Sequence, residues 1–350
     1  MFLKKKLKNL FSSFISFDFS IFSIDNVKLV INEWKVFFVE ARGKLKKLSK
    51  TNYELGLYHF EKGNVYDALL RFKLLNYYSP IYKDLDYLIG RCYVEKGKYD
   101  KGLKYLEKYL NSGEKDCYEE VMYCIKLATN DLKDIVHLPP GIINHKLSQR
   151  FNLYLSDAKE SENKKGRNIV YDEIENALKN SKKAFDFDML HFNCGVGLIP
   201  KLLRKTKFLK FVLGIEKNEK MYEHSNDLHL DKIKVYNSVY NQNVSEFLNE
   251  DSKKDSNFDI ILAENLLRYS SDMEYFFEKI KQYISSDGIL IINFNANKDI
   301  KKFAFNRKYE EFIYEKGFVR DLVSKYGWNI FNEHSLFMKN HEQITLVLKL

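Results

Sequence analysis

The stretch from Asp186 to Phe294 limits what this 350-residue chain can fold into more than any other. One apolar run leads into His191-Phe-Asn-Cys-Gly195-Val-Gly197-Leu, and a second ends in Gly214-Ile-Glu216. Phe258-Asp-Ile-Ile-Leu-Ala-Glu-Asn265 and Ser286-Asp287-Gly288-Ile-Leu-Ile-Ile-Asn293 follow. Short apolar runs alternating with helical patterns predict strands and helices in turn, continuing to Leu350. That alternation gives a mostly parallel sheet with helices on both faces. Ligands of such sheets sit beyond the carboxyl ends of the strands.

The first strand is expected at Asp188–Phe192, after an amphipathic helix at Asn168–Lys182. The turn Asn193–Gly197 follows, then a helix from Leu198. Glycines at 195 and 197 let the backbone pass close to a ligand. The second strand, Phe208–Ile215, ends in Glu216, nineteen residues after Gly197. An acid at that tip can accept both hydroxyls of a ribose. Met221 lies one helical turn further on. The fourth strand is Asp259–Ala263, and Asp287-Gly288 forms the turn before a fifth at Ile289–Phe294.

In this order and spacing, the pieces resemble the Rossmann-like class of S-adenosylmethionine-dependent methyltransferases, over about residues 166–350. The resemblance implies a mostly parallel seven-stranded sheet and S-adenosylmethionine as cofactor. It places Gly195, Gly197, Glu216 and Met221 at that cofactor. His191 stands where the family has an acid that orients the cofactor's ammonium group. Asn193 replaces the first glycine of the motif, which calls for a left-handed backbone that asparagine tolerates. Asn237 or Ser238 falls in the adenine region, where the family has an aspartate. Asn265 stands at an often acidic position facing the substrate mouth, and Tyr269 and Tyr240 are further candidates there. The two tyrosines read equally as ordinary core or surface aromatics. Tyr314 takes the place of a histidine that relatives carry before the last helix.

Two functions stay open. One is a methyltransferase of unknown acceptor. The other, suggested by His191, Asn193 and Asn265, is a catalytically degenerate fold acting as a protein-interaction adaptor. A nucleotide-dependent oxidoreductase shares the glycine turn and the ribose acid but fits the later strands less well. Methyl transfer is an in-line displacement that relies mainly on proximity and orientation. The absence of an obvious base is therefore no argument against catalysis.

Upstream, Gly56, Gly63, Ala68 and Phe72 recur as Gly90, Gly97, Gly102 and Leu106, each 34 residues on. This resembles the tetratricopeptide repeat, a helix–turn–helix unit with small residues where its helices cross. Units are expected at 49–82, closed by Pro80, and at 83–116. Cys117–Ala128 then reads as a capping helix, and Val27–Lys47 as a helix ahead of the array. The resemblance implies a groove that binds a protein or peptide, although a docking surface without a separate ligand fits as well. The whole reads as a helical array over 24–138, a linker over 139–165 opened by Pro139-Pro140, and an α/β domain over 166–350.

The net charge is +9. Ten lysines and Arg42 against Asp18, Asp25, Glu33 and Glu40 put +7 of it in residues 1–50, leaving +2 elsewhere. The main domains therefore show no specific call for nucleic acid. Residues 1–23 place Leu3, Leu7, Leu10 and Phe14 on one helical face behind Lys4-Lys5-Lys6. That pattern suits peripheral contact with an anionic membrane, or packing on the chain's own next helix. No apolar run is long enough to span a bilayer. The four cysteines have no metal-ligand spacing and read as reduced thiols, so no metal is expected. The expected location is the cytoplasm, with the inner face of the membrane as a further option.

Overall fold

The computed structural model describes residues 24–78, 81–163, 168–178, 185–250, 257–337 and 342–350. The basic segment 1–23 and Pro80 lie outside them.

Five helices come first: α1 (Ile24–Glu61), α2 (Val65–Tyr78), α3 (Leu85–Glu95), α4 (Tyr99–Asn111) and α5 (Tyr118–Thr129). The helix predicted at Val27–Lys47 and the first helix of the 34-residue pattern are one 38-residue element. No proline divides them, and Gly43 alone does not end a helix. Two hairpins, α1–α2 and α3–α4, repeat the same construction. Gly63 and Gly97 take left-handed backbones with φ of +77° and +66°. The Asn64 and Lys98 amides donate to the His59 and Tyr93 carbonyls. A Cβ on Gly56 would lie 2.5 Å from the Phe72 ring, and one on Gly90 2.8 Å from Leu106, so each pair crosses at contact distance. Helix α5 packs on this array and stops at Asn130, which is left-handed.

Residues 140–163, within the stretch read as a linker, form the 24-residue helix α6 (Pro140–Asn163). Pro140 marks its start because a proline lacks only a donor that the first helical turn leaves unused. Helix α7 (Ile169–Leu178) then leads to the sheet.

The strands are β1 (Phe187–Phe192), β2 (Leu209–Ile215), β3 (His229–Leu230), β4 (Ile233–Lys234), β5 (Ser238–Tyr240), β6 (Phe258–Ala263), β7 (Ile284–Ala296), β8 (Phe303–Asn306), β9 (Glu311–Tyr314), β10 (Asn329–Phe337) and β11 (Glu342–Lys349). The main sheet runs β10-β11-β7-β6-β1-β2-β5, and β3 and β4 pair apart from it. Strands β5, β2, β1, β6 and β7 are parallel, while β11 is antiparallel to both neighbours. Seven strands were expected and the sheet holds nine, because the β8–β9 hairpin joins it through β7. Asp287-Gly288 lies within β7 rather than before it: pairing jumps from Phe258↔Ile284 to Ile260↔Ile289, so the residues between bulge outward.

Helices α8 (Leu198–Lys205), α9 (Glu219–Asn226), α10 (Val244–Leu248), α11 (Leu266–Tyr269), α12 (Glu274–Lys279) and α13 (Lys316–Lys325) complete the chain. One buried cluster joins Ile174 and Leu178 of α7 and Leu203 of α8 to Met189, Val212 and Ile260. A larger one runs from Phe72, Ile89 and Leu106 of the array through Ile142 of α6 to Leu190, Ile261 and Leu290. Array and sheet thus share a core.

Candidate active site

Strand β1 pairs with β2 on one side and β6 on the other, bringing three strand ends together. Asn193, directly after β1, takes the left-handed conformation that replacement of a glycine requires, with φ +50°. Its side-chain amide donates to the Glu264 carbonyl at 3.2 Å. Gly195 and Gly197 are also left-handed but differ in surroundings. A Cβ on Gly195 would meet only the Asn193 carbonyl, at 3.7 Å. One on Gly197 would meet Leu228 at 2.5 Å and Tyr236 at 3.0 Å. Gly195 therefore leaves room for a ligand, whereas Gly197 lets the turn pack on the protein.

Glu216, after β2, is 2% exposed. One carboxylate oxygen accepts from the Gly195 amide at 2.9 Å and the other from the Asn218 amide at 2.8 Å. Burial raises its pKa, while those amides act in the opposite direction by favouring the anion. The Asn218 side chain caps α9 by accepting from the Met221 amide at 3.1 Å. Its own amide donates to Asn144 Oδ1 at 2.5 Å and Ser148 Oγ at 2.9 Å, both on α6. Glu216 is thereby tied, through Asn218, to the helix that follows the array.

His191 is 1% exposed. Its Nδ1 lies 3.0 Å from the Tyr236 hydroxyl and its Nε2 3.2 Å from Glu264 Oε2. A carboxylate only accepts, so Nε2 is the donor. The position expected to hold an anion thus holds a histidine that grips one.

Above these strand ends lies a cavity with two lobes. The smaller, about 240 Å³, is lined by Asn193, Gly195, Gly197, Glu216, Met221 and Glu264, by Asn265 and Tyr269, and by Tyr154 and Asp157 of α6. Three carboxylates line it, and no lysine, arginine or histidine does among the described residues. The larger lobe, about 470 Å³, shares Asn193, Glu216 and Tyr269 and continues over Leu138, Val244, Leu248, Leu266, Met273 and Phe276. Its wall is mostly apolar; Glu119 of α5, Asp272, His137 and Lys217 also line it, and Lys217 pairs with Glu246 at 3.6 Å. An anionic lobe joined to an apolar one suits a ligand with a cationic end and an aromatic or apolar end.

Asn265 is left-handed, with φ +55°, and its amide donates to the Asn293 side chain at 2.8 Å. Tyr269 is buried, and burial pushes its pKa up to about 12, so it enters neutral chemistry as a protonated phenol. Its carbonyl accepts from the Leu138 amide at 2.9 Å, stitching this loop to the end of the array. Tyr314 donates to the Ser270 carbonyl at 2.6 Å from beneath and braces the same loop.

Three expected residues are placed elsewhere. Asn237 accepts from Arg204 at 2.6 Å and from the Val212 amide at 2.9 Å, before β5 begins. Ser238 pairs with Leu213 at the start of β5. Neither lines the cavity, and nor does Tyr240. The cavity instead meets Asn243, Val244 and Ser245, beyond the carboxyl end of β5. Glu264, Tyr236 and the α6 residues escaped the sequence reading. Only Glu264 left a signal there, as an acid directly after a strand. Cys194 is buried at the edge of the smaller lobe, and burial raises its thiol pKa, which disfavours the thiolate a nucleophile needs. No group of metal-ligating side chains occurs among the described residues.

Residues 190–292, from β1 into β7, match a family described as a methyltransferase domain. No curated protein matches the chain. Among solved structures, it is similar to a SAM-dependent methyltransferase of the DUF858 family from Leishmania major, with 16% identity, 51% of this chain and 73% of that one covered, and a TM-score of 0.41. It is also similar to the magnesium protoporphyrin IX methyltransferase of Synechocystis with bound S-adenosylhomocysteine, with 12% identity, 59% and 99% covered, and a TM-score of 0.42. The [4+2]-cyclase SpnF is a further similar structure, with 10% identity, 53% and 84% covered, and a TM-score of 0.41.

Proposed function

We propose that this chain is a methyltransferase using S-adenosylmethionine, with the cofactor's ribose on Glu216 and its arm over the Asn193–Gly195 turn. The observation that carries this reading is a buried carboxylate at the end of β2, fixed by two backbone amides and facing a cavity whose smaller lobe holds carboxylates and no cation. The family match over the same strands supports it. S-adenosylmethionine supplies a methyl group on a positively charged sulfur. The residues of the chain then have three tasks. Glu216 accepts hydrogen bonds from the ribose hydroxyls, the open face of Gly195 admits the cofactor's arm, and Tyr269 with the apolar lobe holds the acceptor and excludes water. No proton-abstracting group is demanded. The left-handed Asn193 and the Glu264 carboxylate beside His191 favour an active site over a degenerate adaptor, since both departures from the motif are accommodated.

Calorimetric titration of the full chain with S-adenosylhomocysteine tests this. Saturable single-site binding that Glu216→Ala abolishes is expected. Equal binding by the variant would refute the site.

The two hairpins we read as tetratricopeptide-like units that recruit a protein, supported by the 34-residue recurrence and their matching turns. Replacing the exposed Tyr66 and Leu70 with serine should abolish partner capture without changing helicity. Capture by the variant would count against recruitment there. Residues 1–23 we assign to an anionic membrane surface. Equal recovery on anionic vesicles of the full chain and a chain lacking them would contradict that. No helix among the described residues is long and apolar enough to cross a bilayer.

A further inference from the structure

We infer that Glu264, held in place by His191, receives the ammonium group of the ligand's amino-acid arm. The inference rests on the S-adenosylmethionine reading above, and three observations carry it.

The first is position. Glu216 follows β2 and Glu264 follows β6, with β1 between them. Adjacent strands lie about 4.8 Å apart, so the ends of β2 and β6, which carry the two acids, stand roughly 10 Å apart with the Asn193–Gly195 turn after the strand between them. That separation is comparable to the reach of an aminocarboxypropyl arm from the ribose that carries it. The turn itself touches both acids, Gly195 through its amide to the Glu216 carboxylate and Asn193 through its side chain to the Glu264 carbonyl, and a Cβ on Gly195 would meet only the Asn193 carbonyl.

The second is charge. Glu264 lines the smaller lobe, is 26% exposed, and has His191 Nε2 as its partner, at 3.2 Å on one oxygen. A carboxylate offers about four acceptor sites on two oxygens, so capacity remains for a second donor. No lysine or arginine of the described lining neutralises it. An ammonium, with three donors and a positive charge, complements it.

The third is rigidity. His191 is enclosed and fixed from its far side by Tyr236 at 3.0 Å, and the Glu264 carbonyl is held by Asn193 at 3.2 Å. Side chain and backbone of Glu264 are thus both constrained before a ligand arrives. Asp157 is the other carboxylate within reach of the arm, but it is exposed on α6 and has no comparable support.

Glu264 is accordingly a binding residue and His191 a positioning residue. The test compares two ligands on the full chain by calorimetry: S-adenosylhomocysteine, which carries the arm, and 5′-methylthioadenosine, which lacks it. Glu264→Gln should weaken S-adenosylhomocysteine by roughly tenfold or more, and methylthioadenosine by no more than about twofold. His191→Gln, which keeps a donor toward Glu264, should retain most of the preference for the arm-bearing ligand. His191→Leu should lose it while methylthioadenosine still binds. Equal weakening of both ligands by Glu264→Gln, or a larger arm-specific loss in Asp157→Asn, would overturn the inference while leaving the cofactor reading intact. If the unaltered chain bound neither ligand, the cofactor reading itself would fall, and this inference with it.

Discussion

Gly195 and Gly197 are two residues apart and both left-handed, yet their substitutions should separate binding from stability. Gly197→Ala places a Cβ 2.5 Å from Leu228 and 3.0 Å from Tyr236, both within the protein. Strained backbone and overpacking together should cost about 3 kcal/mol or more of stability. Gly195→Ala meets nothing closer than 3.7 Å and should cost only about 1–2 kcal/mol for its backbone angle. It should nonetheless lose S-adenosylhomocysteine, because its Cβ points where the ligand passes. Urea denaturation beside calorimetry checks both, and equal stability losses would contradict the packing argument. Glu216 adds a pH prediction. Burial raises its pKa, so the protonated form survives to higher pH than for an ordinary glutamate. With the ribose on Glu216 as proposed, its hydroxyls donate to the anion, so binding must expel that proton and affinity should fall as pH is lowered through the raised pKa. Affinity unchanged down to the ordinary carboxylate range would contradict this. At this scale the sequence was most readable, since glycines and acids at strand ends have few other reasons to occur at that spacing. His191 was readable as a departure from the motif. Its grip on Glu264 was not, because it joins residues 73 positions apart.

Helix α6 was the element least visible in the sequence. The residues that open a helix at Pro140 are the same ones that suggest a break, and nothing local shows which sides of the helix are buried. The structure puts Asn144 and Ser148 against Asn218, and His145, Lys146 and Gln149 against the array and the β8–β9 turn. Removing both Asn144 and Ser148 side-chain partners leaves the buried Asn218 amide with only the Asn144 carbonyl. A cost of about 1–3 kcal/mol and weaker cofactor binding are expected of the Asn144→Ala/Ser148→Ala pair. Unchanged urea midpoint and affinity would show that α6 is not coupled to Glu216. The other side of α6 predicts acid sensitivity. His145 stacks on Phe60 and lies 3.2 Å from Glu95, with Arg91 and Glu61 also nearby, and burial lowers its pKa. A lowered folded pKa means its contribution is present above the unfolded value of 6.5 and is lost as pH falls through the folded value. Melting temperature should therefore drop on acidification more steeply in the native chain than in His145→Gln; equal slopes would contradict it. Strand β5 gives the second lesson. With only three residues, its register is fixed by pairing with β2 rather than by pattern, and the cavity meets residues 243–245 beyond it rather than Asn237 and Ser238.

Across the whole molecule, the shared core implies that array and sheet unfold together. Tyr123 of α5 donates to Glu310 at 2.9 Å, and Lys146 of α6 lies 3.5 Å from the same carboxylate, so the β8–β9 turn touches both. In a Trp34→Phe chain, fluorescence from Trp328, 1% exposed beside the sheet, should change at the same urea concentration as helical circular dichroism. Earlier loss of the helical signal would show two independent units. For the same reason, residues 140–350 alone would expose apolar surface that the array now covers, so the full chain is the proper subject for binding work. The 34-residue recurrence and the strand–helix alternation announced two halves; that they close one cavity, with Glu119 and Leu138 on its wall, needed the fold. The most direct measurement is the crystal structure of the full chain with S-adenosylhomocysteine. Both ribose hydroxyls are expected on the Glu216 carboxylate, with the thioether over the Asn193–Gly195 turn. Ligand bound away from Glu216, or crystals grown at saturating ligand with none in the cavity, would contradict it.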